Sequence, residues 1–160
     1  MVQYVQKRVS GIQDFEKRLN NFGKNIGIRY IEIFYWRDKL TIRRENRIIP
    51  LLSFINTLIW KSLSGKPADS LEKSTENEDE YMITDNDPWT HRFISMPKDL
   101  HQLNCGAIMA GIIESILEGA NFPCKVSAHT VPIEGFPNRT TYLIKFDQMV
   151  IERQKLLEST

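Results

Sequence analysis

The chain has 160 residues, 41% of them hydrophobic and 26% charged, which fits one globular domain over residues 1–160 and excludes wholesale disorder. Twenty-one basic residues against 20 acidic ones leave a formal charge of +1, so the whole-chain charge gives no argument for a nucleic-acid partner. No apolar run approaches the ~20 residues needed to span a bilayer, no secretory leader is visible, and two cysteines are too few for a disulfide framework or an all-cysteine zinc site. The expectation is a cytosol-facing protein.

Val2, Val5 and Val9 recur at helical spacing with no room for a cap before them, so residues 2–9 read as the end of a helix. Ser10 with Gln13 forms a capping-box pattern. Ile12, Phe15, Leu19, Phe22, Ile26, Tyr30 and Ile33 then step by three or four, predicting an amphipathic helix of some 25 residues. Gly23 and Gly27 lie one turn apart within it. Each costs ~1 kcal/mol against alanine in a helix interior, so another backbone is expected close by. Arg37, Lys39, Arg43, Arg44 and Arg47 follow in a basic stretch, read either as an exposed connection or as a contact for anionic lipid head groups or an acidic partner.

Pro50 opens a second helix, closed by Gly65 and Pro67. Leu51, Leu52, Phe54, Ile55, Leu58 and Ile59 make it apolar on more than one side, and these six residues are the expected partner interface. Residues 68–80 read as a polar, acidic surface connection. Residues 81–84 and 92–96 read as strands, 104–119 as a third helix with many small residues, and 125–131 with 140–146 as a hairpin. Residues 148–157 read as a terminal helix. The order predicts an α+β fold, with long N-terminal helices packed on a twisted antiparallel sheet of about four strands.

Catalytic motifs are missing from this pattern. No Walker-type run is present. His91, His101 and His129 with Cys105 are not at metal-ligand spacing. Cys105 with His129 can be drawn as nucleophile and base, yet Gly106, Ala107, Ile108 and Met109 around Cys105 suit a buried packing cysteine better. Asn138-Arg139-Thr140 has the form of a glycosylation acceptor but reads as a polar hairpin loop. The expectation is a non-enzymatic protein with no cofactor and no metal, built to assemble.

Several blocks carry a resemblance. They are Gln6-x-Arg8-Val9-Ser10, Trp60-Lys61-x-Leu63-x-Gly65-Lys66-x-Ala68-Asp69-x-Leu71-Glu72, Ile94-Ser95-Met96-Pro97-Lys98, Leu103-Asn104-Cys105 with Ala110-Gly111-Ile112, Phe122-Pro123-x-Lys125-Val126 and Ile144-Lys145-Phe146. In this order and spacing they resemble the small-subunit family of the TRAPP vesicle-tethering complex. The resemblance implies an α/β plait whose N-terminal helices pair with other small TRAPP subunits in a heterodimer. It implies a structural role in endoplasmic reticulum to Golgi transport, at the cytoplasmic surface of the cis-Golgi and endoplasmic reticulum. It also implies membership of a complex that acts as guanine-nucleotide exchange factor for a Rab-family GTPase. Asn121 stands where the family usually has a glycine, at a helix end that needs a left-handed residue. The other reading is a small hydrophobic-ligand-binding domain of the same plait, with Cys105, Met109, Ile113 and His129 lining a pocket.

Overall fold

The run of apolar residues from Ile12 becomes one 27-residue helix, α1 (Ile12–Asp38), in the computed structural model, which describes residues 11–38, 45–91 and 103–158. Phe15, Leu19 and Phe34 form its buried edge. The expected helix at residues 2–9, the Ser10 cap and the strand at 92–96 lie outside the described residues.

The second helix, α2, runs through three consecutive segments: Ile48–Phe54, a wide π turn at Ile55–Ile59, and Trp60–Ser64. The wide turn leaves the Asn56 carbonyl free to accept the Ala68 N–H at 3.2 Å. Gly65 ends the helix at φ 86°, its N–H bonded to the Lys61 carbonyl. α2 packs beside the C-terminal half of α1. The Tyr30 hydroxyl meets Ser62 Oγ at 2.6 Å, and Phe54 stacks on Tyr35 and sits edge-on to Phe34.

Two strands follow, β1 (Ser70–Lys73) and β2 (Glu80–Asp85), paired antiparallel. β1 corrects the sequence reading, which treated residues 68–80 as a connection. Ser70-Leu71-Glu72-Lys73 shows no apolar alternation because it is a short edge strand, and charged side chains suit an edge. α3 (Ala107–Gly119) then leads into β3 (Cys124–Thr130), β4 (Thr140–Phe146) and α4 (Gln148–Glu158). Among the described residues the sheet has four antiparallel strands in the order β1-β2-β4-β3, so the α+β expectation holds.

α3 is buried from Ala107 to Leu117, between α1 and β3. Gly23 and Gly27 of α1 answer the expectation of close approach. A Cβ at Gly23 would collide with the Ile108 carbonyl, and one at Gly27 with Ser115 Oγ and the Ile112 carbonyl. Gly111 returns the contact from α3, where a Cβ would strike the Asn20 carbonyl. α3 ends in a double-bonded cap: Phe122 N–H to the Leu117 carbonyl at 2.8 Å and Asn121 N–H to the Glu118 carbonyl at 3.0 Å, with Asn121 at φ 65°. The asparagine therefore takes the left-handed position expected of it.

Candidate functional site

Four of the six residues expected at a partner interface turn inward. Leu51, Leu52, Ile55 and Ile59 are buried in the chain's own core, Phe54 is half-buried against α1, and only Leu58 is exposed. The physical reason is that Ile48, Leu51, Leu52, Ile55 and Ile59 share one helical face at spacings of three and four, and the wide turn of α2 brings Trp60 onto that face as well. Exposed apolar side chains also stand on α1. Phe22, Ile33 and the 85%-exposed Trp36 stand on one side of that helix, with half-buried Ile26 among them, at the three-and-four spacing of a helical stripe. The periodicity used to predict α1 contained Phe22, Ile26 and Ile33 but stopped short of Trp36. Burial alone separates the inner stripe from the outer one, and the sequence does not carry it.

The basic stretch divides. Arg37 is exposed on the last turn of α1 and donates to Ser62 Oγ at 2.6 Å. Arg47 is exposed and precedes α2, its carbonyl accepting the Leu51 N–H. Lys39, Arg43 and Arg44 lie outside the described residues.

The residues named for a ligand pocket are not brought together. Cys105, Met109 and Ile113 are closed into the core, while His129 is exposed on β3, hydrogen-bonded to Ser127 Oγ at 2.8 Å. Burial in apolar surroundings, with Glu16 adding to it, pushes the Cys105 thiol up to about 11. Burial raises the Cys124 thiol further, helped by Glu114, Glu118 and Asp147. A thiol held protonated is a poor nucleophile, so the pairing of Cys105 with His129 has no chemical support. Burial lowers the His91 pKa, against an opposing pull from Asp85. His101 lies outside the described residues. Among the described residues no group of three or more His, Cys, Asp or Glu side chains is placed to hold a metal ion, and no helix is long and apolar enough to cross a membrane.

Asn104, part of the block matched to the family, organises the start of α3. Its Oδ1 accepts the Gly106 N–H at 2.7 Å, its Nδ2 donates to Thr130 Oγ1, and its own N–H donates to Glu16 Oε1 at 2.9 Å. One buried residue, through its side chain and its backbone N–H, thereby ties α1, α3 and β3 together. Gly106 follows because a Cβ there would press on Asn104 Oδ1 at 2.7 Å. A second buried anchor is Asp85. It accepts the Trp60 indole N–H at 3.0 Å and the Asp87 N–H at 3.0 Å, and pairs with Lys66 at 3.2 Å. The Trp60-to-Glu72 block is thus a structural unit: Trp60 and Lys66 both serve Asp85, and Asp69 accepts the Asn86 N–H.

A cleft of about 660 Å³ opens beside Asn104. Gln13, Glu16, Lys17 and Asn20 of α1 form one wall, Ala107 and Ala110 of α3 the floor, and Val126 to Thr130 of β3 the other wall.

The chain matches the family described as transport protein particle (TRAPP) component over residues 1–147. It is 53% identical to trafficking protein particle complex subunit 5 of Dictyostelium discoideum over 155 residues, covering 96% of this chain and 82% of that protein. It is 35% identical to subunit 5 of Homo sapiens over 158 residues, covering 99% of this chain and 80% of that one. Among solved structures, it superposes on subunit 3 from Naegleria fowleri, a protein covalently bound to palmitic acid, with TM-score 0.75 at 19% identity. The match covers 92% of this chain and 89% of the other, and shows a shared fold.

Proposed function

Since the chain belongs to the TRAPP component family, we propose that it is a non-catalytic assembly subunit of a TRAPP vesicle-tethering complex. It pairs with another small TRAPP subunit through α1. The observation that carries this reading is the outward stripe of Phe22, Ile33 and Trp36. A tryptophan left 85% exposed on an ordered helix is the kind of aromatic anchor that concentrates binding energy at an interface. Leu58 and Ile49 on α2 add exposed apolar surface.

In this reading the subunit contributes shape, not chemistry. The complex acts in endoplasmic reticulum to Golgi transport as a nucleotide exchange factor for a Rab-family GTPase, and reaches the Golgi membrane as a peripheral assembly. Arg37 and Arg47 are exposed where they can meet an acidic partner or anionic head groups.

The test is recovery of the tagged chain from native extract, with its companions identified by mass spectrometry. Other small TRAPP subunits in near-equal amounts are expected. Recovery of the chain alone, or with a bound small molecule, overturns the reading.

A further inference from the structure

Among the described residues β3 is an edge strand, and its outer edge faces the cleft. The pairing with β4 fixes which backbone groups are spent. Val131 N–H bonds to the Arg139 carbonyl and Asp147 N–H to the Pro123 carbonyl, so the odd-numbered residues of β3 turn their amides and carbonyls toward β4. The N–H and C=O groups of Val126, Ala128 and Thr130 point the other way, and none of them has a backbone partner among the described residues.

The cleft touches all five consecutive residues from Val126 to Thr130. Side chains alternate between the two faces of a strand, so a space that meets every residue in turn must run along its edge. Opposite stand Gln13, Glu16, Lys17 and Asn20, one face of α1 at spacings of three, one and three. Beneath lie Ala107 and Ala110, both too small to fill the space.

We propose that this groove receives an extended peptide segment of another protein, which adds to the sheet as a fifth strand beside β3. Three features select that occupant. The free groups of Val126, Ala128 and Thr130 are alternating donors and acceptors, a set that an extended backbone satisfies in full. A four-residue strand occupies roughly 630 Å³, from a ~3.3 Å rise, ~4.8 Å strand spacing and ~10 Å layer thickness, and the cleft measures about 660 Å³. The alanine floor accepts side chains from alternate positions of the added strand, while the polar α1 wall offers hydrogen bonds to its other flank. This surface lies apart from the Trp36 stripe of α1 and does not depend on the assembly proposed above.

Proline substitution separates this role from a structural one. The amide of residue 128 is not used in the ladder with β4, so Ala128→Pro leaves the fold intact, as edge strands tolerate proline where the N–H faces outward. The probe is a displayed library of random octapeptides selected against the full chain. Selected peptides are expected to slow amide exchange at Val126, Ala128 and Thr130. They should lose at least tenfold in affinity to Ala128→Pro at an unchanged thermal midpoint. If Ala128→Pro lowers the midpoint, a second variant, Lys17→Trp, reads the same loss of affinity by crowding the groove from the exposed wall on α1. Three results overturn the proposal: enrichment of no peptide, protection of amides elsewhere, or self-association that Ala128→Pro abolishes while peptides fail to bind. The last would give the edge to a second copy of this chain.

Discussion

Lys24 on α1 and Glu114 on α3 meet at 2.8 Å between Nζ and Oε1, at the level where Gly23 and Gly111 bring the two helices into backbone contact. Glu114 is almost wholly buried, and Lys125 of β3 reaches the same oxygen at 3.2 Å. Three elements thus converge on one carboxylate. Burial pulls the Lys24 pKa down, but the hydrogen bond and charge of Glu114, with Glu118 behind them, leave it above the ordinary lysine value.

A raised lysine pKa has a definite sign in stability. The folded chain binds the Lys24 proton more tightly than the unfolded chain does, so the stabilisation is complete below about pH 10. It is lost as pH rises through the folded pKa. Lys24→Met should flatten that part of the alkaline stability profile. It should cost about 1–3 kcal/mol at neutral pH, less than a fully broken buried pair because Lys125 remains. Denaturant melts from pH 7 to 11 check this; parallel profiles for the two proteins would remove Lys24 from the account.

The two glycines of α1 should respond differently to the same change. Gly23→Ala drives a methyl group into the Ile108 carbonyl, which is backbone and cannot step aside. Gly27→Ala meets the Ser115 hydroxyl first, then the Ile112 carbonyl at 2.8 Å. Overpacking of this kind costs about 1–3 kcal/mol, at times more. Ser115→Ala should restore part of the loss in Gly27→Ala and none in Gly23→Ala. Equal rescue of both, read from chemical denaturation, would mean the helices separate as a unit.

Both cysteines should be inert in the folded protein. With the Cys105 thiol at about 11, roughly one molecule in a thousand carries its thiolate at pH 8, and Cys124 is held higher by its burial. A colourless-to-yellow disulfide reagent should show almost no reaction over minutes at pH 8 and two thiols on unfolding. One fast-reacting thiol in the native state would contradict the closed packing around it.

Charge placed on the two faces should separate interior from interface. Leu52→Asp buries a carboxylate without a partner at a fully enclosed site, which costs several kcal/mol, enough to unfold a domain of ordinary stability. Trp36→Glu, on the open face of α1, should leave the thermal midpoint nearly unchanged and cut recovery of a partner subunit by tenfold or more. Undiminished recovery with Trp36→Glu would place the contact elsewhere.

The fold was legible wherever one face of an element is apolar. Ile12 to Ile33 announces α1, and the alternation of 140–146 announces β4, because the core alone dictates those patterns. Ser70–Lys73 was not legible, since an edge strand gains its place from pairing with β2 and not from burial. The groove beside β3 was equally silent. Its recognition groups are backbone atoms, identical in every residue, and only the register shows which of them are free.

The wide turn at Ile55–Ile59 is a phase slip in the helix. One residue drawn into a wider loop displaces everything after it by about 100° relative to an unbroken α-helix. Plotted on a single wheel, Trp60 stands off to the side of Leu51, Leu52 and Ile55, and the segment looks apolar all round. With the slip included, Trp60 swings onto their face, and reaches Asp85 and the ring of Tyr142. Part of the apolar surplus on α2 was two half-helices out of step, while Ile49 and Leu58 stay exposed. Each is amphipathic in its own frame, and the join sits where the Asn56 carbonyl leaves the ladder to hold Ala68.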